Sequence, residues 1–315
     1  MRWNADGRIG SDSYLRLTSD PAFPQAARAL ATNNLAAAAA DTALDGIFKD
    51  AGRYLVALFA IYLHVSGGVT LPRLKTLCAA SGFLSPGRAR ALLIYLRYLG
   101  YLELFPAGRR GMPARYIPTA RFLTAWRAHM RAILDAARHV EPAAERVLDR
   151  LDAPDIFDTF VRFQCRGLME SARDSNQGAA FVRVFLQRHA GAHILRLLVI
   201  AGEADVFPPR GPLPISLSEA ARRFGVSRMH VRRLLDEAEH AGLLRRPDDG
   251  TVVLEEEGRA GVELLYSTQL IRVLTAAAKT LREKPELMSG RTPSRLVTPA
   301  AWGRREGRGA EARPS

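Results

Sequence analysis

The chain has 315 residues, is 48% hydrophobic and carries a formal net charge of +13 at pH 7. It is long enough for two compact domains and too apolar to be disordered throughout. The charge suits a polyanionic partner and says nothing about fold. Compositional bias accounts for part of the arginine excess, since Lys49, Lys75, Lys279 and Lys284 are the only lysines. Cys78 and Cys165 lie in apolar segments and predict core thiols rather than a disulfide framework or a redox sensor. The first residues lack the apolar stretch of a secretory signal, and the longest apolar run, Tyr54 to Val65, is too short to span a bilayer. A cytoplasmic protein without a membrane partner is expected.

In chain order, residues 1–46 predict helix, including the stretch LAAAAADTAL, with no readable role. Residues 47–140 begin with an apolar helix near Tyr54 to His64 and a short amphipathic helix near Leu71 to Ala79. A turn at Gly82 leads to a helix that Ser85 can N-cap and Gly100 can end, with Pro86 at the favoured first position. A β-like run, Tyr101 to Leu104, a turn-rich tip, FPAGRRGMPA, and a second strand, Arg115 to Ile117, predict a hairpin. A long helix follows, its apolar stripe marked by Phe122, Trp126, Met130, Ile133 and Ala137. Residues 141–178 read as short helices broken at Pro142 and Pro154, ending in the polar loop SARDSNQG.

Residues 179–285 repeat the earlier order. An apolar helix near His193 to Ile200 precedes the linker PPRGPLP and a short helix, Leu217 to Phe224. Gly225 makes the turn, Ser227 is the cap and Gly242 the stop. Strands at Leu243 to Arg246 and Thr251 to Leu254 flank the tip, and Val262, Tyr266, Leu270, Val273 and Ala277 mark the last long helix. Ser227 lies fifteen residues before Gly242, as Ser85 lies fifteen before Gly100. Such a repeat constrains the fold more than any single motif. Residues 286–315, rich in arginine, glycine and proline, predict a disordered basic tail.

A short helix, tight turn, capped helix and two-stranded hairpin, twice over, resemble a winged helix-turn-helix. With a helix before and a long helix after, each copy resembles the bacterial MarR-like transcriptional regulators, over roughly 47–140 and 180–283. The resemblance implies a mainly α fold with tandem winged helix-turn-helix domains joined by long helices. MarR-like proteins normally carry one unit per chain and pair two chains. This chain is therefore expected to be a monomeric pseudo-dimer, with a homodimer as the alternative. The resemblance also implies a pocket for a small-molecule effector beneath the winged units, whose ligand no residue names.

The residues make their own case for double-stranded DNA. In the second capped helix Val231, Leu234, Leu235 and Ala238 form a buried stripe. Ser227, Arg228, Met229, His230, Arg232 and Arg233 cluster at its N-terminal end, the part that a recognition helix presents to the major groove. Arginine can bind guanine O6 and N7 in bidentate fashion. The acids Asp236, Glu237 and Glu239 follow where the helix would leave the groove. The bland alternative is a solvated face with Arg232–Asp236 and Arg233–Glu237 pairs. In the first copy Ser85, Gly87, Arg88 and Arg90 offer fewer base-reading groups, and Arg109, Arg110 and Arg115 of the hairpin could contact phosphates or the minor groove.

Other chemistry finds little support. His189 and His193, four apart on an expected helix, lack a third zinc ligand. Asp152, Asp155 and Asp158 surround Pro154, where acids suit a helix start. No phosphate loop, nucleophile elbow or dinucleotide fingerprint occurs, so neither an enzyme nor a cofactor is expected. The leading expectation is a sequence-specific transcriptional regulator. The alternatives are a plasmid-type replication initiator with tandem winged helices and a winged-helix protein-interaction scaffold.

Overall fold

The computed structural model describes residues 11–82, 84–105, 112–174 and 178–288. Arg109, Arg110 and residues 289–315 of the expected basic tail lie outside the described residues, and the first residues of that tail belong to a 3-10 turn, Pro285–Leu287, rather than to a disordered segment. Within them the chain is mainly helical, with small antiparallel sheets. No described helix is long and apolar enough to cross a membrane.

Three helices lead in: α1 (Ser11–Thr18), α2 (Phe23–Ala40) and α3 (Thr42–Phe48). Asp41 divides the last two, because its carboxylate accepts from Ala43 N at 2.8 Å and Leu44 N at 3.0 Å and so caps a new helix. The first repeated unit then runs α4 (Ala51–Val65), β1 (Val69–Thr70), α5 (Leu71–Ala80), α6 (Pro86–Tyr98), β2 (Leu102–Leu104), β3 (Arg115–Pro118) and α7 (Ala120–Ala137).

A 3-10 turn at Pro142–Ala144 and α8 (Glu145–Asp149) lead to α9 (Pro154–Asp174). The expectation of short helices across this region is corrected here: Pro154 opens a 21-residue helix. Proline is tolerated there because the first helical N–H has no intrahelical partner to lose. Next comes α10 (Ala179–Phe181), continued by a π-helical stretch, Val182–Gln187.

The second unit repeats the order as α11 (Gly191–Ala201), β4 (Leu213–Pro214), α12 (Leu217–Phe224), α13 (Arg228–His240), β5 (Leu244–Arg245), β6 (Thr251–Leu254) and α14 (Glu256–Glu283). Each unit holds a three-stranded sheet, ordered β1-β3-β2 and β4-β6-β5. Strands β1 and β4 were not expected from the sequence. Each is two residues long, too short to show alternation, and pairs at the far edge of the hairpin: Val69 with Tyr116, Leu213 with Val252. The turn glycines Gly82 and Gly225 have φ of +71° and +61°, the left-handed region where glycine avoids the Cβ penalty.

The expected stripes of α7 and α14 are buried, from Phe122 to Ala137 and from Val262 to Ala277. Burying an aromatic or large aliphatic side chain of this kind stabilises by about 1.5–3 kcal/mol. The two units are joined through α2 and α9. Helix α2 packs on α7 of the first unit and α11 of the second, while α9 packs on α14 of the second and α4 of the first. Exchanging the units exchanges these contacts. The N-terminal segment thus acquires a structural role, because α2 completes the joint together with α9. A polar link also crosses the joint, where His193 Nε2 of α11 lies 2.9 Å from Asp45 Oδ1 of α3.

Candidate nucleic-acid interface

In the second unit Ser227 caps α13, its hydroxyl accepting from His230 N at 3.0 Å. Val231, Leu234, Leu235 and Ala238 are buried. That packing fixes the helix's rotation and turns Arg228, Met229, Arg232 and Arg233 to the surface. They are spaced three and four apart, so they form one strip along the first two turns. Met229 is 51% exposed in its midst.

The acids of α13 are held elsewhere. Asp236 and Glu239 both take Arg246 of the hairpin, at 2.6 Å each. Glu237 takes Arg188 at 2.7 Å and Arg183 at 3.4 Å, from the segment before α11. The helical pairs Arg232–Asp236 and Arg233–Glu237 do not form. Among the described residues Arg228, Arg232 and Arg233 have no ion pair. The outcome is a cationic strip with its neighbouring acids already neutralised. His230 is placed differently: its Nε2 sits 2.7 Å from the His189 carbonyl and the ring is only partly exposed, so it ties α13 to the joint. Arg222 and Arg223 are also exposed, in the last turn of α12, where no cap or apolar stripe singles them out in the sequence.

The first unit presents different chemistry. Ser85 caps α6, accepting from Arg88 N at 3.3 Å, and Gly87 and Arg90 are exposed. Arg88 instead turns back to Asp50 at 2.8 Å, a partner more than thirty residues away that no local pattern signals. Arg115 stacks over the Phe105 ring with its Cζ 5.6 Å from the centroid and donates to the Gly67 carbonyl at 3.3 Å. The same unit exposes Ile94 (51%) and Tyr98 (85%) one turn apart on α6, and Phe105 and Met112 on the hairpin.

The remaining candidates resolve as packing. His189 and His193 do not share a helix, because Ala190 adopts φ +61° and α11 starts at Gly191. His193 contacts Asp45 and receives Arg196 Nη1 on Nδ1 at 2.9 Å. Burial pushes its pKa down to about 4, despite the Asp45 hydrogen bond. No group of three potential metal ligands occurs among the described residues. Asp155 takes Lys284 at 2.7 Å and Asp152 takes Arg131. Cys78 and Cys165 are free and buried, and burial lifts their thiols to about 11 and about 12.

Where helices of both units meet α2 and α9, the chain forms a pocket of about 180 Å³. Comparison with protein-family models, curated proteins and solved structures finds no match to this chain.

Proposed function

We propose that the repeated units are tandem winged helix-turn-helix domains and that the chain is a sequence-specific, double-stranded DNA-binding transcriptional regulator. The observation that carries this reading is the strip Arg228–Met229–Arg232–Arg233, exposed and, among the described residues, without acidic partners at the capped start of α13. In this reading α13 enters the major groove by its N-terminal end and its arginines meet guanine edges. Arg222 and Arg223 of the preceding helix lie against the phosphate backbone, as does Arg115 of the first unit.

The test is retention of sheared genomic DNA at near-physiological salt, followed by sequencing. A few fragments sharing one motif are expected. Arg228→Ala/Arg232→Ala should abolish that preference without altering the circular dichroism spectrum. Each lost guanine contact is worth about 1–3 kcal/mol of discrimination. Unchanged enrichment in the double variant would remove α13 as the reading helix.

A second reading, a protein-interaction scaffold, is favoured by the apolar side chains Ile94, Tyr98 and Met112 that the first unit exposes. Salt separates the two. A phosphate-contacting protein loses affinity steeply and linearly in log–log form as salt rises, whereas a scaffold holds no DNA even at low salt.

A further inference from the structure

The sequence divides its charge unequally between the two units. Residues 51–137 hold twelve arginines and lysines against two acids, whereas residues 191–283 hold thirteen of each. Most of the chain's excess positive charge therefore lies in the unit without the α13 strip. Of its two acids, Asp135 is taken by Arg138 at 2.8 Å. Glu103 lies on the opposite side of β2 from Leu104, because side chains alternate along a strand.

The same unit is apolar on a face where the second unit is charged. Ile94, at 51% exposure, and Tyr98, at 85%, stand one turn apart on α6, with Arg90 and Arg97 exposed on the same stripe. Leu104, also 51% exposed, pairs opposite Tyr116 across the hairpin, and Arg97 lies over the Tyr116 ring with its Cζ 5.8 Å from the centroid. Arg97 thus joins helix and hairpin into one surface. Counted in step from the caps Ser85 and Ser227, Ile94 matches Asp236, Arg97 matches Glu239 and Leu104 matches Arg246. The second unit closes those positions on themselves, since Arg246 takes both acids at 2.6 Å. The first unit leaves them open, so the fold does not require an apolar face there. Contiguous apolar side chains exposed beside charged ones mark a contact site.

Duplex DNA does not suit this face. Its base rings are hidden in the stack, and its major groove presents polar edges with the thymine methyl as the apolar exception. An unpaired strand offers the ring faces themselves, which stack on aromatic side chains and guanidinium planes while basic residues meet the phosphates. An acidic protein segment would match the charge, but a guanidinium laid over a ring is an arrangement that a base extends as the next plate of a stack. We propose that the face formed by Ile94, Arg97, Tyr98, Leu104 and Tyr116 binds single-stranded nucleic acid, with bases stacked on Tyr98 and on the Arg97–Tyr116 pair and a phosphate held by Arg90. The site shares no residue with the α13 strip, so its failure and that of the duplex-reading proposal are separate outcomes.

The test measures binding of the full chain by fluorescence anisotropy at near-physiological salt. The probes are labelled oligothymidine and oligouridine of about 16 nucleotides, the upper end of a single-strand site, and a duplex of the same length and random sequence. At least one single strand should bind about tenfold more tightly than the duplex, and which one it is tells DNA from RNA. Tyr98→Ala should remove that preference and Tyr98→Phe should keep it. Ile94→Asp/Leu104→Arg, which installs the second unit's own pair without changing net charge, should remove it too, with duplex binding and melting temperature unchanged. Equal affinity for single strand and duplex would show attraction to charge alone and overturn the proposal. Binding of neither, even at low salt, would overturn it and leave the face to a protein partner. A preference that survives in Tyr98→Ala, or is lost as fully in Tyr98→Phe, overturns it as well.

Discussion

Arg232 and Asp236 stand one helical turn apart, and local electrostatics alone would pair them. Exposed pairs are worth only about 0–1 kcal/mol, so competition among partners is decided by geometry. Arg246 reaches Asp236 and Glu239 together, and its Nε and backbone N both add hydrogen bonds to Glu239. In the proposed function this arrangement makes a residue outside the exposed strip of α13 matter for DNA binding. Arg246→Ala should release both acids toward Arg232 and weaken binding of the enriched DNA several-fold, measured by fluorescence anisotropy. An unchanged affinity would show that the acids do not compete. Buried histidines give a second prediction at this scale. Burial, with Arg196 nearby, holds His129 at about 3, and His193 lies at about 4. Both stay neutral in the folded chain while unfolded histidines protonate near 6.5. The stability this neutrality preserves is complete above about pH 6.5 and is lost as pH falls toward 4, by up to about 1.4 kcal/mol per pH unit for each group. Melting temperature should therefore drop between pH 7 and 4.5, and His129→Gln should flatten the slope. A flat profile in the natural chain would contradict the neutral assignment.

At the scale of elements, α13 depends on its cap and α14 on a close approach. Ser227→Ala removes an N-cap bond worth about 1 kcal/mol and loosens the turn that carries Arg228. It should lower stability by that amount and weaken DNA binding more than Ser85→Ala, whose helix directs Arg88 back to Asp50. Gly258 is stricter. A Cβ there would lie 1.9 Å from the Leu243 carbonyl oxygen, so the first turn of α14 runs directly against the hairpin. Gly258→Ala must push backbone from backbone and should cost at least about 1–3 kcal/mol in chemical denaturation, the scale of overpacking. Caps, turn glycines and stripes were legible because each is a local rule: Ser85, Ser227, Gly100 and Gly242 all terminate helices where spacing places them. The short edge strands were not legible, since Val69–Thr70 and Leu213–Pro214 acquire their pairing only from a distant partner. The site was half legible for the same reason. The exposed strip of α13 follows from helical periodicity, whereas the Asp50–Arg88 pair and the pocket at the joint exist only after remote helices meet.

For the whole molecule, the decisive feature is that α2 and α9 each bind helices from both units. Two reading heads on a flexible linker could engage sub-sites over a range of spacings, with an effective concentration set by the linker. Here the two units are joined through packed helices, and the Asp45–His193 contact adds a partly buried polar link across the joint. Repositioning one head against the other would expose that core. If both units hold DNA, the spacing of their sub-sites is therefore a property of the fold. DNA turns once in about 10–10.5 base pairs, so inserting five base pairs between sub-sites carries the second to the opposite side of the duplex. Binding to such a fragment should fall to the level of a single sub-site, a loss within the roughly 10²–10⁴-fold gain that two linked contacts provide. A ten-base-pair insertion restores the face but moves the sub-site about 34 Å along the axis, beyond what a packed joint can follow, and should bind no better. Equal affinity for all three spacings, measured by gel shift, would mean that one unit alone holds the DNA and that the first unit serves another partner.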